Sequence, residues 1–198
     1  MKKKIQKKRL LIIGAGGHAK VCYDICISNK YKFIGYLINN YKKNFNNLNE
    51  NKKNFIIDDL ININKYINHN KYFFIAIGDN NIRERIFKKY YKTIKFANLI
   101  HPSSIISKSV LLGKNVIVNA GSILNSDVVV SDNTIINSGS IVEHDVKIGK
   151  HSHLCPGVKI AGNVKIGSNV FVGLGSNIIN NLKIENKVTI GAGSLVLT

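Results

Sequence analysis

The chain has 198 residues, an apolar fraction of 44% and a formal net charge of +18, which together predict a folded protein of one large domain or two small ones. No apolar run approaches the ~20 residues that cross a bilayer, and the run after the basic start is too short for a signal peptide, so we predict a cytoplasmic protein without membrane insertion. The 3 cysteines are odd in number and lack metal-ligand spacing, which argues against a disulfide framework and a metal site.

Most of the positive charge lies in the first half of the chain. Residues 100–198 hold 8 of the 29 basic and 5 of the 11 acidic residues, which leaves 21 and 6, a net charge of +15, for residues 1–99. The lysines are scattered among Asn and Ile without a stripe or interleaved aromatic residues, so we predict solvated surface and no nucleic-acid interface. Such a field still favours polyanionic ligands such as nucleotides.

Residues 1–99 alternate short apolar runs with helical patterns. Strands are predicted at residues 10–13, 33–38, 72–77 and 94–99. Helices are predicted from the Gly-rich loop to about Ser28, over residues 58–68, and from Asn80, as the N-cap, to about Tyr91. An Asn/Lys-rich stretch covers residues 39–54. The alternation predicts a small Rossmann-like α/β domain over residues 1–99.

A Gly-rich loop, GAGGHA at residues 14–19, joins the first predicted strand to the first helix. Its glycines permit a tight turn, and the N–H groups at the start of the helix then face a phosphate. The acidic residue that would hold the ribose of NAD is absent, because Asn39 and Asn40 follow the second strand. We therefore predict a nucleotide-sugar diphosphate at this helix start, with a plain strand-to-helix turn as the alternative.

From residue 100 onward the chain repeats every six residues. The fifth positions hold only Ser, Thr, Val or Leu, and the first positions are all Ile, Leu or Val: Ile100, Ile106, Leu112, Val118, Leu124, Val130, Ile136, Val142, Ile148, Leu154, Ile160, Ile166, Val172, Ile178, Ile184 and Ile190. A fixed short period indicates a solenoid, and residues two apart share one face of a strand. A stack of antiparallel hairpins would not keep one register through so many units.

The residue between these two inward positions points outward, and it is apolar in the first seven units: Ile105, Leu111, Ile117, Ile123, Val129, Ile135 and Ile141. A solvated face would not carry such a stripe. We predict that a neighbouring subunit, the N-terminal domain or both cover it.

The segments GAGGHAK, IAIGDNNIRERI, VEHDVKIG, HSHLCPGVKIAGNVKIG and IGAGS together resemble the hexapeptide-repeat sugar O- and N-acetyltransferases. This family includes bacterial sialic-acid O-acetyltransferases and the UDP-4-amino-sugar N-acetyltransferases of bacillosamine synthesis, and the resemblance covers nearly the whole chain. It implies an all-β left-handed β-helix of 18-residue coils that binds acetyl-CoA over residues 100–198. It also implies a nucleotide-sugar-binding domain over residues 1–99 and a homotrimer.

Carried over residue by residue, the resemblance implies that His144 is the general base, with Glu143 and Asp145 beside it and Asp145 orienting the imidazole. His153 matches a second family histidine, and Asn137 matches an asparagine near the thioester that belongs to the catalytic set. Gly162 matches a glycine whose N–H binds the thioester oxygen. The implied CoA contacts are Asn137, Cys155, Gly162 and Leu174. The implied contacts of the nucleotide sugar are Gly14, Ala15, Gly16, Gly17, His18, Asn39, Asn40, Gly78, Asp79, Asn80 and Arg83. Members of the family commonly carry Asp where Asn39 and Asn40 stand. We interpret His151 as a surface residue without a catalytic role.

The repeat also predicts where these residues lie around a coil. Gly162 follows His144 by 18 residues, so it stacks on the same corner, whereas His153 follows by nine, half a coil, and lies on the opposite side. If both histidines serve one site, two chains must share it.

The predicted function is acetyl-CoA-dependent N-acetylation of a UDP-linked 4-amino-4,6-dideoxy sugar, without a metal. Sialic-acid-type O-acetylation is the nearest alternative, and a non-catalytic β-helix scaffold is the alternative from a different class.

Overall fold

The computed structural model describes residues 8–29, 31–39, 55–68 and 70–198; Asn40 therefore lies outside the described residues. The first part is a parallel sheet in the order β3-β2-β1-β4. Its strands are β1 (Lys8–Ile13), β2 (Tyr31–Ile38), β3 (Ile56–Asp59) and β4 (Lys71–Ile75). Its helices are α1 (Gly17–Ser28), a 3₁₀-helix (Leu60–Tyr66) and α2 (Asn80–Tyr90). The predicted Rossmann-like α/β class is confirmed.

Three local predictions for this domain were wrong. The helix predicted over residues 58–68 begins in strand β3 and continues as the 3₁₀-helix. The Asp59 carboxylate accepts a hydrogen bond from the N–H of Ile61 at 3.1 Å and thereby caps the start of the 3₁₀-helix. Helix α2 is capped by Asp79 rather than Asn80, since Asp79 Oδ1 accepts the Ile82 N–H at 2.8 Å. Residues 94–98 form only a bridge between Phe96 and Phe73.

Residues 99–196 form a β-helix of seventeen two-residue strands in three parallel sheets. Face 1 contains β5 (Leu99–Ile100), β8 (Ile117–Val118), β11 (Ile135–Ile136), β14 (His153–Leu154), β17 (Phe171–Val172) and β20 (Thr189–Ile190). Face 2 contains β6 (Ile105–Ile106), β9 (Ile123–Leu124), β12 (Ile141–Val142), β15 (Lys159–Ile160), β18 (Asn177–Ile178) and β21 (Leu195–Val196). Face 3 contains β7 (Leu111–Leu112), β10 (Val129–Val130), β13 (Lys147–Ile148), β16 (Lys165–Ile166) and β19 (Lys183–Ile184).

Each strand pairs with the strand 18 residues later, so every coil stacks in register on the next; Val130, for example, pairs with Ile148. The second residue of each strand points inward, and these side chains form one continuous apolar core along the β-helix. The hexapeptide solenoid predicted from the sequence is therefore confirmed, with the left-handed coil of the family.

The three corners of the coil differ in the residue that adopts the left-handed backbone conformation. Corner 1/2, between faces 1 and 2, uses glycine: Gly121, Gly139, Gly157, Gly175 and Gly193. Corner 2/3 uses Asp127, Asp145, Asn163 and Asn181, and corner 3/1 uses Asn115, Asn133, His151, Asn169 and Lys187. Asn and Asp are the side chains that tolerate this conformation best after glycine.

The N-terminal domain packs on face 1 of the β-helix. Ile117 and Ile135 are 0% and 1% exposed because they join the apolar cluster formed by α1 and one side of the sheet. On the other two faces Ile105 and Leu111 each remain 65% exposed. The prediction that the N-terminal domain covers the outward apolar residues is thus confirmed for face 1 only. Among the described residues, neither helix is both long and apolar enough to cross a bilayer.

Candidate functional site

The predicted base lies on corner 2/3, at the solvent surface of the single chain. Its Nδ1 atom is 2.8 Å from Oδ2 of Asp145, the next residue. The side chains of His144 and Asp145 are 63% and 58% exposed. Because the hydrogen bond engages Nδ1, the Nε2 atom of His144 is the one that can exchange a proton with a ligand. Glu143 points elsewhere, since its carboxylate accepts a hydrogen bond from Asn125 one coil earlier at 2.7 Å.

Gly162 lies directly against the His144 ring from the next coil. A Cβ atom added to Gly162 would be 2.6 Å from both Cε1 and Nε2 of His144. The backbone N–H of Asn163 donates to the His144 carbonyl oxygen at 3.0 Å and fixes this stacking. The structure therefore brings His144, Asp145 and Gly162 together, in the arrangement that the period of 18 predicted.

A second group of predicted residues lies on and beside face 1, where the β-helix meets the N-terminal domain. His153 is 9% exposed, and its Nε2 accepts the Asn137 amide N–H at 3.3 Å in the tautomer that leaves Nε2 unprotonated. Burial, and secondly the charge of Arg83, lower the pKa of His153 to about 4. The same two causes lower the pKa of His18 to about 4, so both imidazoles are neutral at neutral pH. No described residue forms a hydrogen bond with the buried Nε2 of His18.

The Gly-rich loop borders a cavity of about 220 Å³ at the carboxyl edge of the parallel sheet. Gly14, Ala15 and Asn39 line it together with apolar side chains such as Leu37 and Ile77. Ligands of open α/β sheets bind at this edge. Gly14 has a φ of +103°, a conformation that favours glycine. Ideal Cβ atoms on Gly16 and Gly17 meet no atom within 4 Å, so both face open space at the start of α1.

A larger cavity of about 520 Å³ lies between the start of α2 and face 1. Its lining includes the predicted residues Gly78, Asp79, Asn80 and His153. The sequence interpretation assigned no role to its other members, which are Asn81, Asn169, Phe171, Lys187 and Thr189. The available signal was Phe171, an outward aromatic residue among polar ones, whose ring meets the His153 ring edge-on at 5.3 Å.

The predicted CoA contacts fall on two separate corners of one chain. Asn137, Cys155 and Leu174 lie on corner 1/2, and Gly162 lies on corner 2/3 with His144. Face 2 stands between these corners. Cys155 is buried and Leu174 is 57% exposed. A single chain therefore does not gather all the predicted CoA contacts at one place.

Known proteins match both parts of the chain. Residues 9–90 match the PglD N-terminal domain, and residues 127–162 match the bacterial transferase hexapeptide (six repeats). The solved structure of PerB from Caulobacter crescentus, in complex with CoA and GDP-perosamine, is 31% identical; the match covers 95% of this chain and 88% of that one, with a TM-score of 0.84.

This chain belongs to the hexapeptide-repeat sugar acetyltransferase family.

Two other members of the family are also similar to the chain. The acetyltransferase domain of PglB from Neisseria gonorrhoeae is 25% identical, with a TM-score of 0.84 over 96% of this chain and 91% of that one. The UDP-N-acetylbacillosamine N-acetyltransferase of Bacillus subtilis is 28% identical over 57% of this chain. The chain spans 52% of the length of that curated relative, and 19% of an uncharacterised protein of Acanthamoeba polyphaga mimivirus that is 34% identical over 103 residues.

One interpretation of the sequence was wrong: His151 is not at the surface. It is 5% exposed, and its Nδ1 accepts an amide N–H of Asn133 at 2.7 Å. Asn133 in turn receives a hydrogen bond from Asn115 at 2.7 Å, so the three side chains form a ladder along corner 3/1. Burial lowers the pKa of His151 to about 4, with the nearby Glu84 acting in the opposite direction.

Proposed function

We propose that this protein is a homotrimeric N-acetyltransferase that transfers an acetyl group from acetyl-CoA to the 4-amine of a UDP-linked 4-amino-4,6-dideoxy sugar. Residues 1–99 bind the nucleotide sugar, and residues 100–198 bind acetyl-CoA. The observation that carries the proposal is the stack of the His144–Asp145 pair on Gly162. It supplies an oriented imidazole beside a backbone N–H, the two groups that acyl transfer to an amine requires.

The chemical step uses these groups and the two substrates. The sugar amine attacks the thioester carbonyl carbon while Nε2 of His144 removes the amine proton. Asp145, 2.8 Å from Nδ1, stabilises the imidazolium that forms. The backbone N–H of Gly162 stabilises the tetrahedral oxyanion. When the intermediate collapses, the C–S bond breaks, the acetamide forms, and the imidazolium returns its proton to the CoA thiolate.

The separation of the two histidines supports a site shared between subunits. His153 and Asn137 lie at or beside face 1 next to the nucleotide-sugar cavities, and His144 lies across the coil on corner 2/3. The aliphatic core of the β-helix stands between them. The exposure of His144 and of Ile105 fits a neighbouring chain on this side, because that chain would exclude water from the base and cover the apolar stripe.

Asn39 bears on the nucleotide proposed here. Uracil presents one N–H beside a carbonyl oxygen, and a side-chain amide can match this pair with its own acceptor and donor. Asn39 is the side-chain amide in the lining of the 220 Å³ cavity, and no described residue of that lining is acidic. The Bacillus subtilis relative is named for a UDP sugar and PerB was solved with a GDP sugar, so the relatives alone leave both nucleotides open.

A substrate panel tests the reaction. The purified chain is incubated with acetyl-CoA and UDP- or GDP-linked 4-amino-4,6-dideoxy sugars, their 4-hydroxy counterparts, or sialic acid, and the released thiol is measured. We expect release with the UDP-linked amine. Faster release with a hydroxyl acceptor or sialic acid would establish O-acetylation instead, and no release with any acceptor would favour the scaffold.

The base is tested by His144→Ala, which should lower turnover by about 10²–10⁴-fold, the range of general base catalysis. The matched control is His101→Ala, a histidine in the first coil whose ring contacts Ser103; it should leave turnover unchanged. Turnover of His144→Ala within about threefold of wild type would remove His144 from the mechanism.

A mixing experiment tests the shared site. His144→Ala and His153→Ala chains are combined and allowed to exchange subunits; if both histidines serve the site, each variant is inactive alone. Mixed trimers should regain part of the activity, because some interfaces then pair an intact His144 with an intact His153. No recovery after confirmed exchange would show that the site is not shared between chains in this way.

A further inference from the structure

Arg83 holds together the loop and the strand that wall the 520 Å³ cavity. It is 1% exposed and lies on α2. Its guanidinium donates to six oxygens at 2.7–3.3 Å, which are the backbone oxygens of Ile77, Gly78, Asn133, His151 and Ser152 and the side-chain oxygen of Asn80. A guanidinium has five N–H donors, so none remains for a ligand.

These oxygens belong to two parts of the molecule that are distant in sequence. Ile77 and Gly78 lie in the loop between β4 and α2, and Asn80 is the first residue of α2. Ile77 borders the smaller cavity, and Gly78 and Asn80 border the larger one. The backbone oxygens of Asn133, His151 and Ser152 lie on corner 3/1, and Ser152 immediately precedes His153. The rigid, fork-shaped guanidinium of Arg83, called the fork below, thus fixes the loop on one side of the cavity relative to the His153 imidazole on the other.

The guanidinium has no carboxylate within ion-pair distance among the described residues; the side chain of Asp79 acts on it only through space. Burial accordingly lowers the pKa of Arg83 to about 10, and the charge of Asp79 acts in the opposite direction. The side chain therefore stays charged at neutral pH, and backbone dipoles take the place of its hydration. Such an arrangement is geometrically demanding, since each acceptor must point at the fork.

We propose that Arg83 is a positioning residue for the nucleotide sugar: it sets the distance between the Gly78 loop and His153 and does not touch the substrate. The resemblance to the family had suggested a direct contact with the nucleotide sugar instead. This proposal rests on the function proposed above, because it takes the two cavities as the nucleotide-sugar site.

The domains should stay docked when the fork is lost. Other hydrogen bonds connect them, including Asn80 Nδ2 to the Val170 oxygen at 3.2 Å and the Ile75 N–H to Asn115 Oδ1 at 2.8 Å. The apolar contacts of Ile117 and Ile135 with the N-terminal domain are also untouched. Loss of the fork therefore changes local geometry more than the overall fold.

The experiment compares Arg83→Lys, which keeps the charge but not the fork, with Arg85→Lys, the same change at an exposed position of α2. Each hydrogen bond to a charged group is worth about tenfold in an equilibrium. We expect Arg83→Lys to raise the KM for the nucleotide sugar by at least about tenfold, with the KM for acetyl-CoA within twofold of wild type, and Arg85→Lys to change neither. Equal increases in both constants, or a lower kcat with both constants unchanged, would overturn the positioning role.

Chemical rescue gives a second, independent readout. In Arg83→Gly, added guanidinium should restore most of the affinity for the nucleotide sugar, whereas potassium chloride at the same ionic strength should not. Absence of rescue in a folded Arg83→Gly protein would overturn the proposal.

Calorimetric binding of UDP to each variant keeps the two proposals separate. If wild type binds UDP but acetylates no sugar, the proposed reaction fails, while a weaker UDP affinity in Arg83→Lys would still support the role of Arg83. Unchanged UDP affinity in that variant would refute it.

Discussion

Replacing Gly162 by alanine should displace the His144 ring without disturbing the fold. The added Cβ would be 2.6 Å from Cε1 and Nε2 of His144, whereas carbon atoms in contact are about 3.5–4.0 Å apart. The ring must therefore move by about 1 Å. Because the His144 side chain is 63% exposed, it can move into solvent, and we expect the free energy of unfolding to change by less than about 0.5 kcal/mol.

The cost should appear in catalysis instead. A misplacement of about 1 Å in a catalytic group lowers rates by about 10²-fold, so we expect a kcat about 100-fold below wild type. Alanine keeps the backbone N–H of residue 162, so the proposed oxyanion donor remains. The measurement is steady-state thiol release, with Gly191→Ala as the control, because a Cβ there meets only Ser194 Oγ at an ordinary 3.5 Å.

A double-mutant cycle shows whether the loss passes through His144. In a His144→Ala background, Gly162→Ala should have almost no further effect, because no ring remains to be displaced. The reasoning is refuted if Gly162→Ala alone keeps kcat within twofold of wild type, or if its full effect persists without His144.

Two further predictions concern the nucleotide-sugar domain and the polar ladder. Gly16→Val should raise the KM for the nucleotide sugar and leave CoA binding unchanged. The added Cβ meets no protein atom within 4 Å, so it would block only a ligand at the start of α1. An equal loss of affinity for both ligands in calorimetry would indicate a folding defect. The variant His151→Asn tests the stability of the folded chain. The pKa of His151 is lowered from 6.5 to about 4 in the folded chain, so the unfolded chain binds the proton first as the pH falls. The stability that is present above pH 6.5 is therefore lost as the pH falls toward 4. Asn is compatible with the left-handed backbone conformation at this corner, as Asn133 and Asn169 show. Between pH 7 and pH 4 the Tm of His151→Asn should therefore fall less than that of wild type. An unchanged slope of Tm against pH would contradict this account.

The sequence predicted the β-helix well because one short-range rule, the period of six, determines which side chains point inward. The stacking of Gly162 on His144 followed from the same rule. Strand β3 was missed because residues 56–59 become a strand only through pairing with β2, which the local Asp and Asn residues do not indicate.

The burial of His151 and the contacts of Arg83 were not predicted for a related reason: the partners that determine them are distant in sequence. Asn133 stacks on His151 by the coil period of 18, but the burial of His151 depends on packing against Phe87 of α2, at 5.6 Å between ring centroids, which the period does not indicate. The Arg83 fork reaches acceptors 50–69 residues away. Composition and local spacing carry no information about contacts of this range.

The in-register stacking of coils also determines which insertions are compatible with the proposed site. Six extra residues before His144 would turn everything downstream by one third of a coil, which would carry the base from corner 2/3 to corner 3/1, beneath α2. Eighteen extra residues would return it to its own corner, but about 4.8 Å further along the axis. Insertions between Ile135 and His144 that lengthen the coil itself, rather than protrude as a loop at a corner, are therefore excluded because they shift the base relative to the N-terminal domain. Whole coils added after Val196 leave the site unchanged.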